Sequence, residues 1–148
     1  MIDKLTVFLV IDDFEPMRKV TSAQLRSMGV SAIATANNGA EGLRILKRQR
    51  VDIVLSDWNM PIMDGLELLK AVRADEKLAH LPFIMITAEA ERDRIEEAIS
   101  SGVTDLLVKP YTAERLCAAH GDLRRWPHRQ RRDQSESHHG GTGRNGNC

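Results

Sequence analysis

Five polar residues, widely separated along this sequence, have the types needed to move a phosphoryl group. Each stands at the end of a short apolar run: Asp12, Asp13, Asp57, Thr87 and Lys109. Three carboxylates brought together repel one another unless a cation joins them, and hard oxygen ligands with room for water suit Mg²⁺. A lysine and a hydroxyl opposite them would hold a transferring phosphoryl group and neutralise its charge. Asp57 would then be the nucleophile that forms an acyl phosphate.

The apolar runs that carry these residues predict buried strands. They are short and rich in β-branched residues, and they span residues 5–11, 30–36, 52–57, 82–87 and 105–108. Helical spacing of apolar residues follows at 16–28, 38–49, 64–75 and 90–101, and a fifth helix would run from about 113 to Trp126, before Pro127. This alternation predicts a parallel sheet with helices on both faces. The carboxyl ends of the strands would then meet in one crevice, which brings the five polar residues together.

Local signals predict where the helices begin and which faces they bury. Asp64 ahead of Glu67, and Asn38 ahead of Glu41, are typical of N-terminal capping pairs. The inward faces are predicted at Met17, Val20, Gln24, Leu25 and Met28 in the first helix, at Leu43 and Leu46 in the second, at Leu68, Leu69 and Val72 in the third, and at Ile95, Ala98 and Ile99 in the fourth. The fourth helix is expected to be loosely held, because few apolar residues support it. Trp58 is expected to be partly exposed beside Asp57.

Four motifs occur in order between residues 5 and 116, each at a predicted strand end. They are Asp12-Asp13-Phe14 with Met17-Arg18, Asp57-Trp58-Asn59-Met60-Pro61 with Met63-Asp64-Gly65, Thr87-Ala88-Glu89, and Lys109-Pro110. Together they resemble the receiver domain of two-component signalling, in particular that of chemotaxis response regulators. The resemblance implies an α/β, flavodoxin-like (βα)5 three-layer sandwich with parallel sheet order 2-1-3-4-5. The fifth helix would be atypical, because Gly121 costs it about 1 kcal/mol relative to alanine.

The resemblance also implies a phospho-acceptor and its metal site. Asp57 would take a phosphoryl group from the phosphohistidine of a histidine kinase. Asp13, Asp57 and the backbone carbonyl of Asn59 would bind Mg²⁺, and Asp12 would act through a metal-bound water. Asn59 also occupies a position that tunes the rate of phosphate loss in such proteins.

The remaining motif residues would bind the phosphoryl group and transmit its arrival. Thr87 and Lys109 would contact the phosphoryl oxygens, and the peptide bond before Pro110 is expected to be cis. Glu89 occupies a second rate-tuning position. Pulling Thr87 inward is the expected trigger for a shift of the fourth helix. The family usually has Tyr or Phe three residues before the lysine, and Leu106 stands there in this sequence.

The predicted function is that of a single-domain response regulator, not an enzyme, with self-catalysed phosphorylation and dephosphorylation. Its partners would be a sensor histidine kinase and a downstream protein such as the flagellar motor switch. The alternative is a phosphorelay intermediate that passes the phosphoryl group to a histidine phosphotransfer protein. An aspartyl-phosphate hydrolase fits less well, because that chemistry wants an acidic residue two positions after the nucleophile, where Asn59 stands.

Composition limits the other possibilities. The 148 residues are expected to form one receiver domain over 1–126, followed by a disordered Arg-, His- and Gly-rich tail over 127–148. The tail lacks the aromatic interleaving and helix-turn-helix pattern of a nucleic-acid binder. The first apolar run is too short to span a bilayer and has no secretory cleavage site. We therefore expect a cytoplasmic monomer that binds neither nucleic acid nor membrane.

Overall fold

The computed structural model describes residues 5–88 and 91–122. Over these residues strands and helices alternate as the sequence predicted. In chain order they are β1 (Val7–Ile11), α1 (Glu15–Ser27), β2 (Ala32–Ala36), α2 (Gly39–Arg48), β3 (Ile53–Asp57), α3 (Gly65–Ala74), β4 (Phe83–Thr87), α4 (Arg92–Ser100), β5 (Asp105–Val108) and α5 (Ala113–Asp122). The predicted end of the fifth helix at Trp126 and the tail over 127–148 lie outside the described residues. Within the described ranges, no helix has the length and apolar character needed to cross a membrane.

The strands form one parallel sheet in the order β2-β1-β3-β4-β5. The predicted flavodoxin-like fold class is therefore confirmed. After β1 the chain moves to one side of the sheet and after β3 to the other, so the strand order reverses between these two strands. In an open parallel sheet, a crevice opens outside the carboxyl ends of the strands at such a point. Ile11 lies opposite Ser56, and Asp57 lies opposite Ile86, at these ends.

The core consists of two apolar layers, one on each face of the sheet. Successive side chains of a strand point to opposite faces, and Val54 lies in one layer while Ile53 and Leu55 lie in the other. The helices contribute Leu46, Leu68, Leu69, Val72 and Ala98 to the first layer and Leu25, Leu116 and Ala119 to the second. Helices α2, α3 and α4 thus cover one face, and α1 and α5 cover the other, which confirms the three-layer arrangement.

Side-chain caps fix where α2 and α3 begin. The Asp64 carboxylate accepts a hydrogen bond from the Glu67 backbone N–H, and the Glu67 carboxylate accepts one from the Asp64 N–H, both at 2.9 Å. Asn38 likewise accepts from the Glu41 N–H at 2.9 Å. Both predicted caps are confirmed, and each cap of this kind stabilises a helix by about 1 kcal/mol. The loop after β3 therefore ends at a defined residue.

The buried face of α1 differs from the prediction at Val20. Val20 is 49% exposed, and the buried residues are Thr21, Ser22 and Leu25. In this orientation the Thr21 hydroxyl lies 2.6 Å from the hydroxyl of Tyr111, a residue 90 positions later. Of the residues predicted to face inward, Leu25 is buried and Met17, Gln24 and Met28 are half-buried, so only the placement of Val20 is wrong. Apolar spacing within the helix carries no information about the distant Tyr111.

Helix α4 also differs from the prediction at one residue. Ala98 is fully buried and Ile95 is partly buried, but Ile99 is 65% exposed, so the inward placement of Ile99 is wrong. The helix contacts the core through a small side chain, which leaves the larger neighbour in solvent. The predicted exposure of this helix is confirmed.

The loop between β3 and α3 holds a strained residue, Ile62. Its φ is +70° and its side chain is 82% exposed. A β-branched residue in this left-handed region is a conformational outlier that costs about 1–2 kcal/mol. Because the side chain buries little, no packing offsets this cost.

Replacing Ile62 with asparagine, which tolerates positive φ, should therefore raise the free energy of unfolding by about 1 kcal/mol. Urea unfolding measures this change. Ile99→Asn, at an exposed helical position, is the matched control and should lower stability by a few tenths of a kcal/mol at most. A loss of stability in Ile62→Asn would show that the loop does not hold this conformation.

Candidate functional site

Asp57 is held rigidly at the carboxyl end of the central strand β3. The next residue, Trp58, donates its backbone N–H to the Ile86 carbonyl of β4 at 2.9 Å, and its carbonyl accepts from Gly65 at 2.8 Å. These bonds join the end of β3 to a neighbouring strand and to the first residue of α3. The Asp57 side chain is largely buried but reaches the crevice.

Three carboxylates meet at this crevice. Oxygen atoms of Asp12, Asp13 and Asp57 all lie within 4.8 Å of one another. Asp12 and Asp57 are buried, whereas Asp13 is exposed. An all-oxygen donor set that is open to water on one side fits the coordination that Mg²⁺ prefers. The residues present therefore fit the predicted magnesium site.

Lys109 lies opposite the carboxylates. Its Nζ is 3.1 Å from Asp57 Oδ1 and 3.8 Å from Asp12 Oδ2. The Lys109 backbone N–H donates to the Thr87 carbonyl at 2.7 Å, and the peptide bond between Lys109 and Pro110 is cis. Thr87 is buried at the last position of β4. The fold thus gathers Asp12, Asp57, Thr87 and Lys109 at one edge of the sheet.

Burial and mutual repulsion dominate the electrostatics of the two inner carboxylates. Burial raises the pKa of Asp57 above its ordinary value of 3.8, the Asp12 charge raises it further, and Lys109 offsets part of the rise. Burial likewise raises the pKa of Asp12, against a hydrogen bond from the Phe14 N–H and the charge of Lys109. A cation in the crevice would favour the ionised form of both carboxylates.

Other predicted site residues lie around this centre. Asn59 is exposed in the loop after Asp57, and Leu106 on β5 is half-buried against the core layer of α2, α3 and α4. Glu89 lies outside the described residues. Trp58 is only 4% exposed, so the expectation that it is partly exposed is wrong. Its ring belongs to the core, and the Arg94 guanidinium of α4 lies over it, 4.5 Å from the ring centre.

Most of this chain matches a known protein family. A model of the response regulator receiver domain matches residues 8–120. The chain belongs to this family. The four motifs and the crevice fall within the matched residues, so the family resemblance is confirmed.

Individual relatives place this receiver domain close to chemotaxis proteins. Chemotaxis protein CheY of Pseudomonas aeruginosa is 48% identical over 108 residues, which cover 73% of this chain and 87% of the relative. The solved structure of chemotaxis protein CheY4 of Vibrio cholerae matches with a TM-score of 0.73 and 34% identity, over 78% of this chain and 96% of that one. The receiver domain of sensor histidine kinase PA1611 of P. aeruginosa, solved with magnesium in its active-site cleft, matches with a TM-score of 0.72 and 30% identity, over 82% and 96% of the two chains.

Two contacts of this receiver domain were missed by sequence reasoning. Arg18 on α1 donates to the backbone carbonyl of Asp12 at 2.6 Å, which fixes the loop that carries two of the three carboxylates. Tyr111 bonds Thr21 and so joins α1 to the segment after Lys109, and burial raises the pKa of its hydroxyl. Arg18 belongs to the first of the four motifs, but the motif indicates no role for it. The position of Tyr111, directly after Lys109-Pro110, was the signal that could have found it.

The raised pKa values predict how the stability of the magnesium-free protein depends on pH. The folded state holds the Asp57 proton more tightly than the unfolded chain does. The resulting stabilisation is fully present below the ordinary aspartate pKa and is lost as pH rises through the raised value.

Asp57→Asn has no carboxyl group to titrate at this position, so it does not lose this stabilisation. The variant should therefore become progressively more stable than the unmodified protein as pH rises from about 3 to about 7. Urea unfolding in a metal chelator measures the difference, and the exposed Asp93→Asn is the control. A difference that does not change with pH would contradict the assignment to Asp57.

Proposed function

We propose that this chain is a single-domain response regulator that accepts a phosphoryl group on Asp57 and thereby switches its binding to another protein. The supporting observation is the contact of Lys109 Nζ with Asp57 Oδ1 at 3.1 Å, beside two further aspartates at the end of a central strand. The closeness to chemotaxis proteins favours a role in chemotaxis, with a sensor histidine kinase as phosphodonor and the flagellar motor switch as target.

In the proposed reaction a carboxylate oxygen of Asp57 attacks the phosphorus of a phosphohistidine. The new P–O bond forms as the P–N bond breaks, and the leaving imidazole takes up a proton. Lys109, already bound to the carboxylate, neutralises charge on the phosphoryl oxygens, and the Thr87 hydroxyl at the end of β4 would donate to one of them. Because the nucleophile is consumed and restored by hydrolysis, the protein is a self-catalysed phospho-acceptor and not a conventional enzyme.

Mg²⁺ would be held by Asp13, Asp57 and the backbone carbonyl of Asn59, with Asp12 acting through a bound water. When bound, it would supply positive charge to the phosphoryl oxygens. Asn59 and Glu89 would tune the rate of phosphate loss. Thr87 and Leu106 would carry the response toward α4 and β5.

Asp13→Ala should weaken Mg²⁺ binding by at least about tenfold. Replacing a residue that only hydrogen-bonds to a metal ligand already lowers metal affinity by that factor, and Asp13 is proposed to be a ligand itself. Tryptophan fluorescence of Trp126→Phe, which leaves Trp58 next to Asp57 as the reporter, measures the affinity. Asp93→Ala removes an exposed aspartate from α4 and serves as the control. Unchanged affinity in Asp13→Ala would remove Asp13 from the proposed ligands.

The proposed function is tested with a chemotaxis histidine kinase carrying a labelled phosphoryl group. In Mg²⁺ the label should move from the kinase to Asp57 and then to inorganic phosphate, and the labelled protein should bind a motor switch protein more tightly. Transfer of the label onward to the histidine of a phosphotransfer protein would favour a phosphorelay instead. We also propose that the protein acts in the cytoplasm as a monomer.

A further inference from the structure

Helix α4 is held to the rest of the protein by few apolar contacts. Its buried residue is Ala98, Ile95 is half-buried, and Ile99 is exposed. Its N-cap residue, Glu91, makes no side-chain capping hydrogen bond. An element with little buried apolar surface opens locally at a low free energy. A single further contact can therefore decide how firmly α4 is held.

Arg94 supplies such a contact on the side of α4 next to the phospho-acceptor pocket. Its guanidinium carbon lies 4.5 Å from the centre of the Trp58 ring, which is within the range of a cation–π interaction. Its Nη2 donates to Asn59 Oδ1 at 3.4 Å. One side chain of α4 therefore touches both residues that directly follow Asp57.

The two residues that Arg94 touches differ in how they are held. Trp58 is buried, and hydrogen bonds to Ile86 and Gly65 fix its backbone. Asn59 is exposed in the loop, and its backbone carbonyl is a proposed ligand of Mg²⁺. Arg94 is thus anchored on a rigid ring and linked to a loop residue that occupancy of the pocket would restrain.

We propose that Arg94 is a positioning residue that couples α4 to the occupancy of the phospho-acceptor pocket through Asn59. This inference rests on the proposed function. Ligands at Asp57 restrain the loop at Asn59, the restrained amide holds the guanidinium, and the guanidinium holds the first turn of α4. Linkage requires the reverse effect as well, so a partner that holds α4 strengthens binding in the pocket.

Leu106 and Arg92 lack the features that suit Arg94 to this role. Leu106 is half-buried in an apolar layer and can respond to the pocket only through packing, because its side chain has no atom that forms hydrogen bonds. Arg92 carries the same charge on the same helix turn, but its ion pair with Glu96, at 3.1 Å, stays within α4 and is exposed. Arg92 is therefore a matched control for Arg94.

The test measures hydrogen exchange of the α4 amides by mass spectrometry. It compares the unmodified protein with Arg94→Ala, Arg94→Lys, Asn59→Ala and Arg92→Ala. Without ligand, Arg94→Ala should exchange about tenfold faster, because a partly desolvated cation–π contact is lost. Arg94→Lys should be affected less, since the ammonium group can stay over the ring. Arg92→Ala should change by less than about twofold, as expected for an exposed ion pair.

The decisive comparison adds Mg²⁺ and beryllofluoride, a mimic of the phosphoryl group. Binding should slow α4 exchange at least about threefold in the unmodified protein and in Arg92→Ala, the size of a modest coupling between sites. This slowing should be lost in Arg94→Ala and in Asn59→Ala. A purely structural Arg94 would leave the ligand-dependent slowing intact in Arg94→Ala, and that result would overturn the proposal. Equal ligand-free exchange in Arg94→Ala and Arg92→Ala would overturn it too.

A different result would contradict the proposed function itself. Fluorescence in the Trp126→Phe background reports ligand binding independently of exchange. If the unmodified protein gave no saturable response to Mg²⁺ and beryllofluoride, the proposed function would be contradicted. The ligand-free comparison of Arg94→Ala with Arg92→Ala would still decide whether Arg94 holds α4.

Discussion

Asp57→Asn should abolish phosphorylation by acetyl phosphate in the presence of Mg²⁺. The reaction requires a carboxylate oxygen to attack phosphorus while acetate leaves, and a neutral carboxamide is too weak a nucleophile to replace it. The variant keeps the size and most of the polarity of Asp57, so the fold should persist. Incorporation of labelled phosphate should fall at least about a thousandfold, a loss typical of removing a nucleophile.

Two comparisons make this result specific. Asp93→Asn changes an exposed aspartate on α4 and should label like the unmodified protein. Circular dichroism of Asp57→Asn should match the unmodified protein, which separates loss of the nucleophile from loss of the fold. Label that persisted in Asp57→Asn, on any residue, would mean that Asp57 is not the phospho-acceptor.

Gly65→Ala should produce the largest loss of stability among small substitutions next to the site. A Cβ at this position would collide with the Asp57 carbonyl oxygen, lie 2.7 Å from the Met85 sulfur and lie 3.0 Å from the Trp58 Cα. Two of these neighbours belong to the backbone at the end of β3, which cannot move without displacing Asp57. We expect a loss of about 3 kcal/mol in the free energy of unfolding, at the upper end of overpacking costs. Mg²⁺ affinity should fall as well.

Gly29→Ala provides the comparison for this prediction. Gly29 has a φ of +100°, but nothing lies within 4 Å of a Cβ built there. Its replacement should cost about 1–2 kcal/mol from backbone strain alone and leave Mg²⁺ affinity unchanged. Urea unfolding and metal titration of both variants measure these effects. Equal Mg²⁺ affinity in Gly65→Ala would show that the close contact behind Asp57 does not position the site.

The elements of this fold were predictable because their signals are local. Short runs rich in β-branched residues predict strands because they are too short for a helix of normal length, and the caps at Asn38 and Asp64 depend on residues three positions away. Once the alternation of strands and helices is known, a parallel sheet places all strand ends at one edge. The convergence of Asp12, Asp57 and Lys109 therefore followed from their positions at strand ends.

The burial of individual helix residues was not predictable in the same way. The exposed faces of α1 and α4 include Val20 and Ile99, which apolar spacing placed inside. Whether an apolar residue at the border of the buried face turns inward depends on what the helix meets on its own side of the sheet. For α1 that partner is Tyr111, which is remote in sequence.

The sequence by itself determined the order of the elements, the family and the set of residues that can carry phosphoryl chemistry, because these depend on residue type and on neighbours a few positions apart. Only the tertiary structure decided that Trp58 is buried under Arg94, that Arg18 and Tyr111 brace the loops of the site, and that Ile62 is strained. These features depend on distances between residues far apart in the chain or on a single backbone angle. Packing of the whole domain sets both, and no local pattern records them.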